Sequence, residues 1–242
     1  MKRSSSADPI NLPEKGIPEM RRHLQTVVAT VGLLLGAAPP IAGAQPLCAD
    51  LGGTVGADQV CASHTSTPDY TLDISFPVGY PDPEPVQDFV THTRDEWVNA
   101  AEHDPMRNPG RHVLAISGTA YQTATTQSLV FALSSDFGAH PVGTFRAFNY
   151  DVTQSAPITL ATLFRPGTNV AQLLAPIVKR ELGDRAAEGP DWISGLDDTA
   201  YQNFALTDDA VIFFFAQGLL LPQVDGPQRI SVSRAELASV LA

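Results

Sequence analysis

The residues best suited to acid–base chemistry lie around His140, which stands in a Gly-x-His-Pro turn between two segments with the pattern of strands. Such a turn on a rigid scaffold would hold the imidazole in place. Ser117 and the pair at 134–135 supply hydroxyls, and Asp151 supplies a carboxylate. A serine nucleophile needs a base within hydrogen-bond reach and donors for the oxyanion. The set permits a hydrolytic site of Ser117, His140 and Asp151. The alternative is a structural His140 that bonds to loop carbonyls.

The rest of the chain carries no established catalytic or cofactor motif. Residues 45–242 contain no nucleophile elbow, no zinc-protease helix motif, and no phosphate-binding or dinucleotide-binding glycine loop. The remaining histidines of this segment are not paired at the spacing of metal ligands: His64, His92, His103 and His112. The sequence therefore predicts neither a metal site nor a cofactor, and it leaves open whether the protein is an enzyme.

Cys48 and Cys61 are the two cysteines of the chain, and glycines at 52, 53 and 56 lie between them. In an oxidising compartment two cysteines this close can readily meet. Their bond would close a loop of about 14 residues and contribute roughly 3 kcal/mol of stability. A metal site would need two further soft ligands nearby, and the sequence lacks that pair. We therefore predict a Cys48–Cys61 disulfide.

Residues 20–44 have the order of charge and hydropathy that is typical of a secretory signal peptide. Arg21 and Arg22 open the segment, an apolar run covers 24–38, and Ala42-Gly43-Ala44 fits the small-residue cleavage rule. The run is shorter than the roughly 20 residues that a spanning helix needs, although an uncleaved anchor is the alternative. Residues 1–19 then form a disordered extension, or one that results from a start codon assigned too early, with Met20 as the initiator. A genuinely long leader is the other interpretation.

The segment after Ala44 is strongly acidic and has the size of one domain or two small lobes. Its 198 residues carry 10 Lys and Arg against 23 Asp and Glu, a net charge of about −13. Such a surface repels phosphate groups, which argues against nucleic acid and anionic lipid as partners. A cationic protein or envelope component is the expected partner. The expected location is extracellular or cell-wall associated, with no membrane span after cleavage. The sequence does not predict an oligomeric state.

The first part of this segment reads as strands around one helix. Alternating apolar residues predict a strand over 70–76. Apolar residues three or four apart predict a helix over 84–102. Strand patterns at 112–122 and 127–136 flank a Thr-rich turn, and a third covers 142–152. These last three strands should form an antiparallel meander.

The last third has a clear apolar pattern. A helix capped by Asn169 is predicted to end at Leu182. Five large apolar residues at 211–215 predict a strand buried on both faces. A closing strand is predicted at 228–233, and a capping-box spacing predicts a terminal helix over 234–241.

Helices are interspersed with strands without strict alternation, which favours an α+β fold. We expect an antiparallel or mixed sheet with two main helices and a C-terminal helix. The proposed division is an N-terminal α+β lobe at 45–155, which contains the disulfide, and a C-terminal lobe at 156–242.

Several stretches of this sequence resemble the mycobacterial secreted immunogenic antigen family. They are YQNFALTDDAVIFFFAQGLLLP at 201–222, FRAFNYD at 145–151, PITLATLF at 157–164 and the early cysteine pair. The resemblance spans nearly all of residues 45–242. It implies a β-grasp-like α+β fold. It also implies that the C-terminal lobe is similar to the extracellular domain of a bacterial anti-sigma factor that binds lysozyme.

Two functions follow from this resemblance. The first is a secreted protein that acts by binding a partner, such as lysozyme or an envelope component. The second comes from a cell-envelope branch of the family, described as carboxylesterase, whose start resembles residues 48–55 (CADLGGTV). That branch implies hydrolysis of short-chain acyl esters.

Overall fold

The computed structural model describes residues 44–104, 112–187 and 191–242. The predicted extension at 1–19 and nearly all of the predicted signal peptide lie outside these residues. Within them, none of the helices has the length and apolar character needed to cross a membrane.

A seven-stranded sheet is the centre of the fold. Its strands follow one another in chain order: β1 (Thr54–Val55), β2 (Val60–Ser66), β3 (Tyr70–Pro77), β4 (His112–Gln122), β5 (Thr126–Asp136), β6 (Val142–Asp151) and β7 (Ala156–Pro157). All neighbours are antiparallel except β3 and β4, which are parallel. The predicted β4–β5–β6 meander is confirmed, and the sheet as a whole is mixed.

Helix α2 (Pro83–Glu102) makes the parallel crossover between β3 and β4 and covers one face of the sheet. Its buried side chains repeat every three or four residues, as the sequence predicted, and they join the apolar residues of β3, β4 and β5 in one core. The Trp97 indole N–H donates to Ser135 Oγ at 2.9 Å. The predicted Cys48–Cys61 disulfide attaches helix α1 (Ala44–Asp50) to β2.

A second sheet of three antiparallel strands has the order β10–β9–β8. Its members are β8 (Phe204–Leu206), β9 (Ala210–Phe215) and β10 (Gln228–Ser233). Strand β9 alternates between two apolar layers: Phe214 packs with Val130 of the larger sheet, whereas Phe213 and Phe215 belong to the core beneath helix α4. This confirms the prediction that residues 211–215 are covered on both faces.

Helix α4 (Val170–Leu182) begins as predicted, since the Asn169 side chain accepts a hydrogen bond from the backbone N–H of Gln172. The shorter helices are α3 (Leu160–Leu163) and α5 (Arg234–Leu237), with 3-10 turns at Gly183–Ala187, Ile193–Gly195, Asp198–Tyr201 and Gln223–Asp225.

Helix α5 corrects the prediction of a terminal helix over 234–241, because it ends at Leu237. Ser233 does cap it, accepting from Ala235 N. The chain then leaves the helix and pairs with an earlier segment: Arg165 N donates to Val240 O at 2.8 Å, and Ala242 N donates to Leu163 O at 3.0 Å. The Val240 carbonyl would have no internal donor at the end of a helix over 234–241, whereas here Arg165 N supplies one.

Two carboxylates that bond to helix α4 make stability depend on pH. The Arg180 guanidinium donates to Glu236 and lowers the pKa of that carboxyl, and Lys179 together with Ser194 lowers the pKa of Asp191. Because the pKa is lower in the folded chain, the stabilisation is complete above the unfolded pKa and is lost as pH falls through the folded one.

We therefore expect the free energy of unfolding to decrease as the pH falls below about 4. Chemical denaturation at a series of pH values measures this. The double variant Glu236→Gln and Asp191→Asn should lose less stability on acidification than the wild type. An identical acid profile for both proteins would contradict the assignment.

Candidate functional site

A groove of about 670 Å³ lies on the face of the seven-stranded sheet opposite helix α2. Its floor is made by alternate residues of β4, β5 and β6, and its walls by the β5–β6 turn and the segment that joins β9 to β10. Most of the lining is apolar. The lining residues are Ala115, Ser117, Ala132, Leu133, Ser134, His140, Pro141, Gly143, Thr144, Phe145, Gln217, Gln223, Val224, Gly226 and Pro227.

The two floor hydroxyls are placed by strand periodicity. Successive side chains of a strand point to opposite faces, so Ser117 faces the groove while its neighbour Ile116 is buried against helix α2. Ser117 pairs with Ala132, and Ala115 pairs with Ser134. The two serines therefore lie diagonally on adjacent strands, and both are exposed. Ser135, in contrast, is on the helix side, where it accepts a hydrogen bond from Trp97.

The segment after β9 is held firmly against strand β6. Gly143 N donates to Gln217 Oε1 at 2.8 Å, and Gln217 N donates to Gly143 O at 2.9 Å. A Cβ at position 143 would lie 2.8 Å from Pro227 Cγ, so only glycine allows this approach. Val224, at the rim, is 92 % exposed. The hydrogen bonds between Gly143 and Gln217 therefore fix one wall of the groove, and Val224 gives its rim an exposed apolar side chain.

His140 lies at the end of the groove, in the turn between β5 and β6. The imidazole is exposed, and its Nδ1 lies 3.3 Å from the carbonyl oxygen of Pro141. If Nδ1 carries the proton, Nε2 is left as the basic nitrogen. Over the described ranges, no hydrogen bond joins His140 to Ser117 or Ser134. The structure therefore brings the predicted serine and histidine to one groove without pairing them directly.

Asp151 does not belong to this groove. In the β5–β6 hairpin it pairs with Thr126, whereas Val142 beside the His140 turn pairs with Ser135. Nine residues of extended strand separate these ends, a distance of about 30 Å. Asp151 instead organises the turn after β6, and hydrogen bonds from the Thr153 hydroxyl and the Gln154 backbone N–H lower its pKa. The predicted grouping of Ser117, His140 and Asp151 is corrected accordingly.

The sequence analysis missed a histidine–aspartate pair elsewhere on the same sheet. His64 Nδ1 lies 2.6 Å from Asp73 Oδ1 on the exposed side of β2 and β3. Ser75 is two residues beyond Asp73 and pairs with Ser117 of β4. The alternation in residues 70–76 places Asp73 and Ser75 on the polar side, but strand β2, which supplies His64, was not predicted. Across the three described stretches, no cluster of three metal-ligating side chains occurs.

Comparisons with known proteins identify relatives over nearly the whole chain. The family described as "Protein of unknown function (DUF3298)" matches residues 161–235. Esterase Rv3036c of Mycobacterium tuberculosis is 43% identical over 224 residues, which cover 90% of this chain and 98% of that protein. Immunogenic protein MPT64 of Mycobacterium tuberculosis and immunogenic protein MPB64 of Mycobacterium bovis are each 35% identical over 232 residues, 92% of this chain and 100% of theirs.

A solved structure shares the fold at much lower sequence identity. The crystal structure of a DUF3298 family protein from Pseudomonas aeruginosa superposes with a TM-score of 0.58 at 14% identity, covering 78% of this chain and 96% of that one. This likeness supports the α+β architecture.

Proposed function

This chain belongs to the family of the mycobacterial immunogenic proteins MPT64 and MPB64 and of Esterase Rv3036c, and from that membership we propose that it hydrolyses esters of short acyl chains. The observation that carries the proposal is the groove on the sheet face opposite helix α2. It combines an apolar lining for an acyl chain with two serine hydroxyls and an imidazole. Apolar clefts with a few convergent polar groups are the usual form of small-molecule sites.

The groove residues have the types that acyl transfer requires. A serine Oγ attacks the ester carbonyl carbon while His140 accepts the hydroxyl proton. The imidazolium then protonates the departing alcohol, and water repeats the sequence to release the acid. Ser134 is on the strand that runs directly into the His140 turn, and Ser117 is one strand further away. Nucleophile–base contacts are often loose before substrate binds, so both serines are candidates.

Hydrolysis of p-nitrophenyl butyrate tests this assignment. We expect His140→Ala to lower kcat/KM by about 100-fold or more, since general bases typically contribute 10²–10⁴-fold. Of Ser117→Ala and Ser134→Ala, one should lose activity to a similar degree. Asp151→Asn is the matched control. It removes the carboxylate that the sequence analysis grouped with Ser117 and His140, and it should leave the rate unchanged.

Two other results would contradict the assignment in different ways. Turnover unaffected by all three groove substitutions would reject the groove as the site. Loss of turnover in His64→Ala but not in His140→Ala would transfer the role of base to the imidazole that Asp73 orients.

Binding of a cationic protein is the second candidate function, and the excess of acidic residues favours it. The aspartates at 197–198 and 208–209 are all exposed. The resemblance of residues 156–242 to a lysozyme-binding extracellular domain supports the same idea, and that resemblance also implies a β-grasp-like fold. Binding to lysozyme that weakens as salt is raised would support this candidate. Equal binding at low and high salt, or none, would remove its basis.

Export is part of either proposal. We propose that the leader at 20–44 is cleaved, so that a chain beginning at Gln45 acts outside the cell. Mass spectrometry of culture fluid and envelope fractions would identify that terminus. Intact precursor found only inside cells would contradict export.

A further inference from the structure

The turn between β5 and β6 carries an exposed apolar surface beside the His140 groove. Residues 137–142 read FGAHPV, and the large side chains Phe137 and Val142 are 43 % and 45 % exposed. Val224, which lines the same groove as His140, is more exposed than either. Single exposed apolar side chains are ordinary, but several together mark a surface that another molecule covers. We call residues 137–142 together with Val224 the apolar tip.

Gln217 holds the two parts of the apolar tip close to each other. Its Oε1 accepts a hydrogen bond at 2.8 Å from the N–H of Gly143, the residue directly after Val142. Its Nε2 donates at 2.8 Å to the carbonyl oxygen of Gln223, the residue directly before Val224. Val142 and Val224 are therefore each one residue away from a group that bonds to the same amide, although they are far apart in the sequence.

The apolar tip has side chains on both sides of the end of the sheet. Val142 pairs with Ser135, which bonds to Trp97, so Val142 lies on the side of helix α2. The Phe137 ring is on that side as well, with its centroid 5.4 Å from that of Trp97. Val224 borders the groove on the opposite side. A surface that contacts the turn would therefore meet both sets of side chains and the end of the groove.

Charged side chains are rare around the groove and the apolar tip. Of the described residues that line the groove, none is Asp, Glu, Lys or Arg. The stretches 113–135, 137–145 and 210–224 supply nearly all of the lining and contain no charged residue. Asp136 and Asp225 border these stretches, and Asp136 Oδ1 accepts from Gly138 N at 2.6 Å within the turn. A charged partner would gain few ion pairs here, whereas contact with an uncharged apolar phase would desolvate few charges.

We propose that the apolar tip docks on the surface of uncharged, water-insoluble esters, so that the groove takes its substrate from a droplet or aggregate. This inference rests on the proposed ester hydrolysis and specifies the physical form of its substrate. Phe137, Val142 and Val224 enter the apolar phase. An ester at the surface then reaches His140 with its acyl chain along the apolar lining of the groove. The acidic residues elsewhere on the chain repel an anionic lipid surface.

Adsorption to a triolein emulsion coated with phosphatidylcholine tests the docking step without a need for turnover. The protein that remains in solution after centrifugation gives the partition coefficient. We expect Val142→Ser and Val224→Ser each to lower it by at least about five-fold, since full burial of a valine side chain corresponds to about ten-fold or more. Val152→Ser is the matched control, because Val152 is 40 % exposed just beyond the other end of β6. It should leave the partition coefficient unchanged.

Two precautions make the comparison between variants direct. Each variant is made in the same full chain, so the apolar run at 24–38 contributes equally to all of them. Unchanged thermal unfolding of each variant verifies that the fold is intact.

Rates on two butyrate esters connect docking with hydrolysis. Tributyrin is supplied as an emulsion, and p-nitrophenyl butyrate is supplied in solution. The ratio of the emulsion rate to the solution rate should fall in Val142→Ser by about the same factor as the partition coefficient. In Val152→Ser this ratio should equal that of the wild type.

The possible outcomes separate the docking surface from the esterase activity. Hydrolysis of the dissolved ester, with equal adsorption of the wild type and both tip variants, would overturn docking and leave the proposed activity in place. Adsorption that depends on the apolar tip, with neither ester hydrolysed, would support the docking surface and reject the activity. Loss of adsorption at raised salt would overturn the proposal, since salt does not screen contacts with an uncharged phase. A wild-type dimer that Val224→Ser dissociates in sedimentation would also overturn it, because a second copy would then cover the tip.

Discussion

Replacement of Phe213 by alanine should lower the free energy of unfolding by about 3–5 kcal/mol, the range found for Phe→Ala changes in well-packed cores. The Phe213 side chain is fully buried in the centre of strand β9. Its ring centroid lies 6.0 Å from that of Tyr201 and 6.3 Å from that of Phe204. The cavity would be enclosed by two strands and helix α4, so little collapse could fill it.

Phe137→Ala provides the matched control for this measurement. Phe137 is 43 % exposed in the β5–β6 turn, although the centroid of its ring lies 5.4 Å from that of the Trp97 ring. Its loss should cost less than about 2 kcal/mol. Urea denaturation of both variants and the wild type measures the difference. A Phe213 variant no less stable than the Phe137 variant would show that the β9 core is not closely packed.

The elements that sequence could predict were those whose side-chain pattern alone decides their structure. The helical period of α2 and the continuous apolar run of β9 are examples, because the spacing of their apolar residues predicts whether one face or both faces are buried. Strand β2 was missed because Val60–Ser66 is mostly polar. It forms a strand through antiparallel pairing with β3 over seven residues. Helix α5 was predicted too long because the Leu163–Arg165 segment that binds the chain end is about 75 residues away.

The same distinction applies to the candidate sites. Period-two alternation along paired strands places Ser117 and Ser134 on one face, but the sequence offered the pair at 134–135 without indicating which serine faces the groove. Closeness along the chain suggested Asp151 as their partner, but a full strand length separates it from His140. The contacts that strand β6 and the segment after α3 make with later parts of the chain had no local signal. Asn149 meets Phe204 across 55 residues, and Arg165 meets Leu241 across 76.

Loss of the Cys48–Cys61 bond should lower the free energy of unfolding by about 3 kcal/mol, the chain-entropy value for a loop of this length. Both cysteines are almost fully buried, and the bond joins helix α1 to strand β2, which is paired with β1 on one side and β3 on the other. Urea denaturation with and without reductant measures the effect. Because the chain has two cysteines in total, a reductant acts on this bond alone.

The double variant Cys48→Ser and Cys61→Ser should be destabilised at least as much, and reductant should not alter it further. A wild-type midpoint that is the same in both conditions would mean that the cross-link does not restrict the unfolded chain.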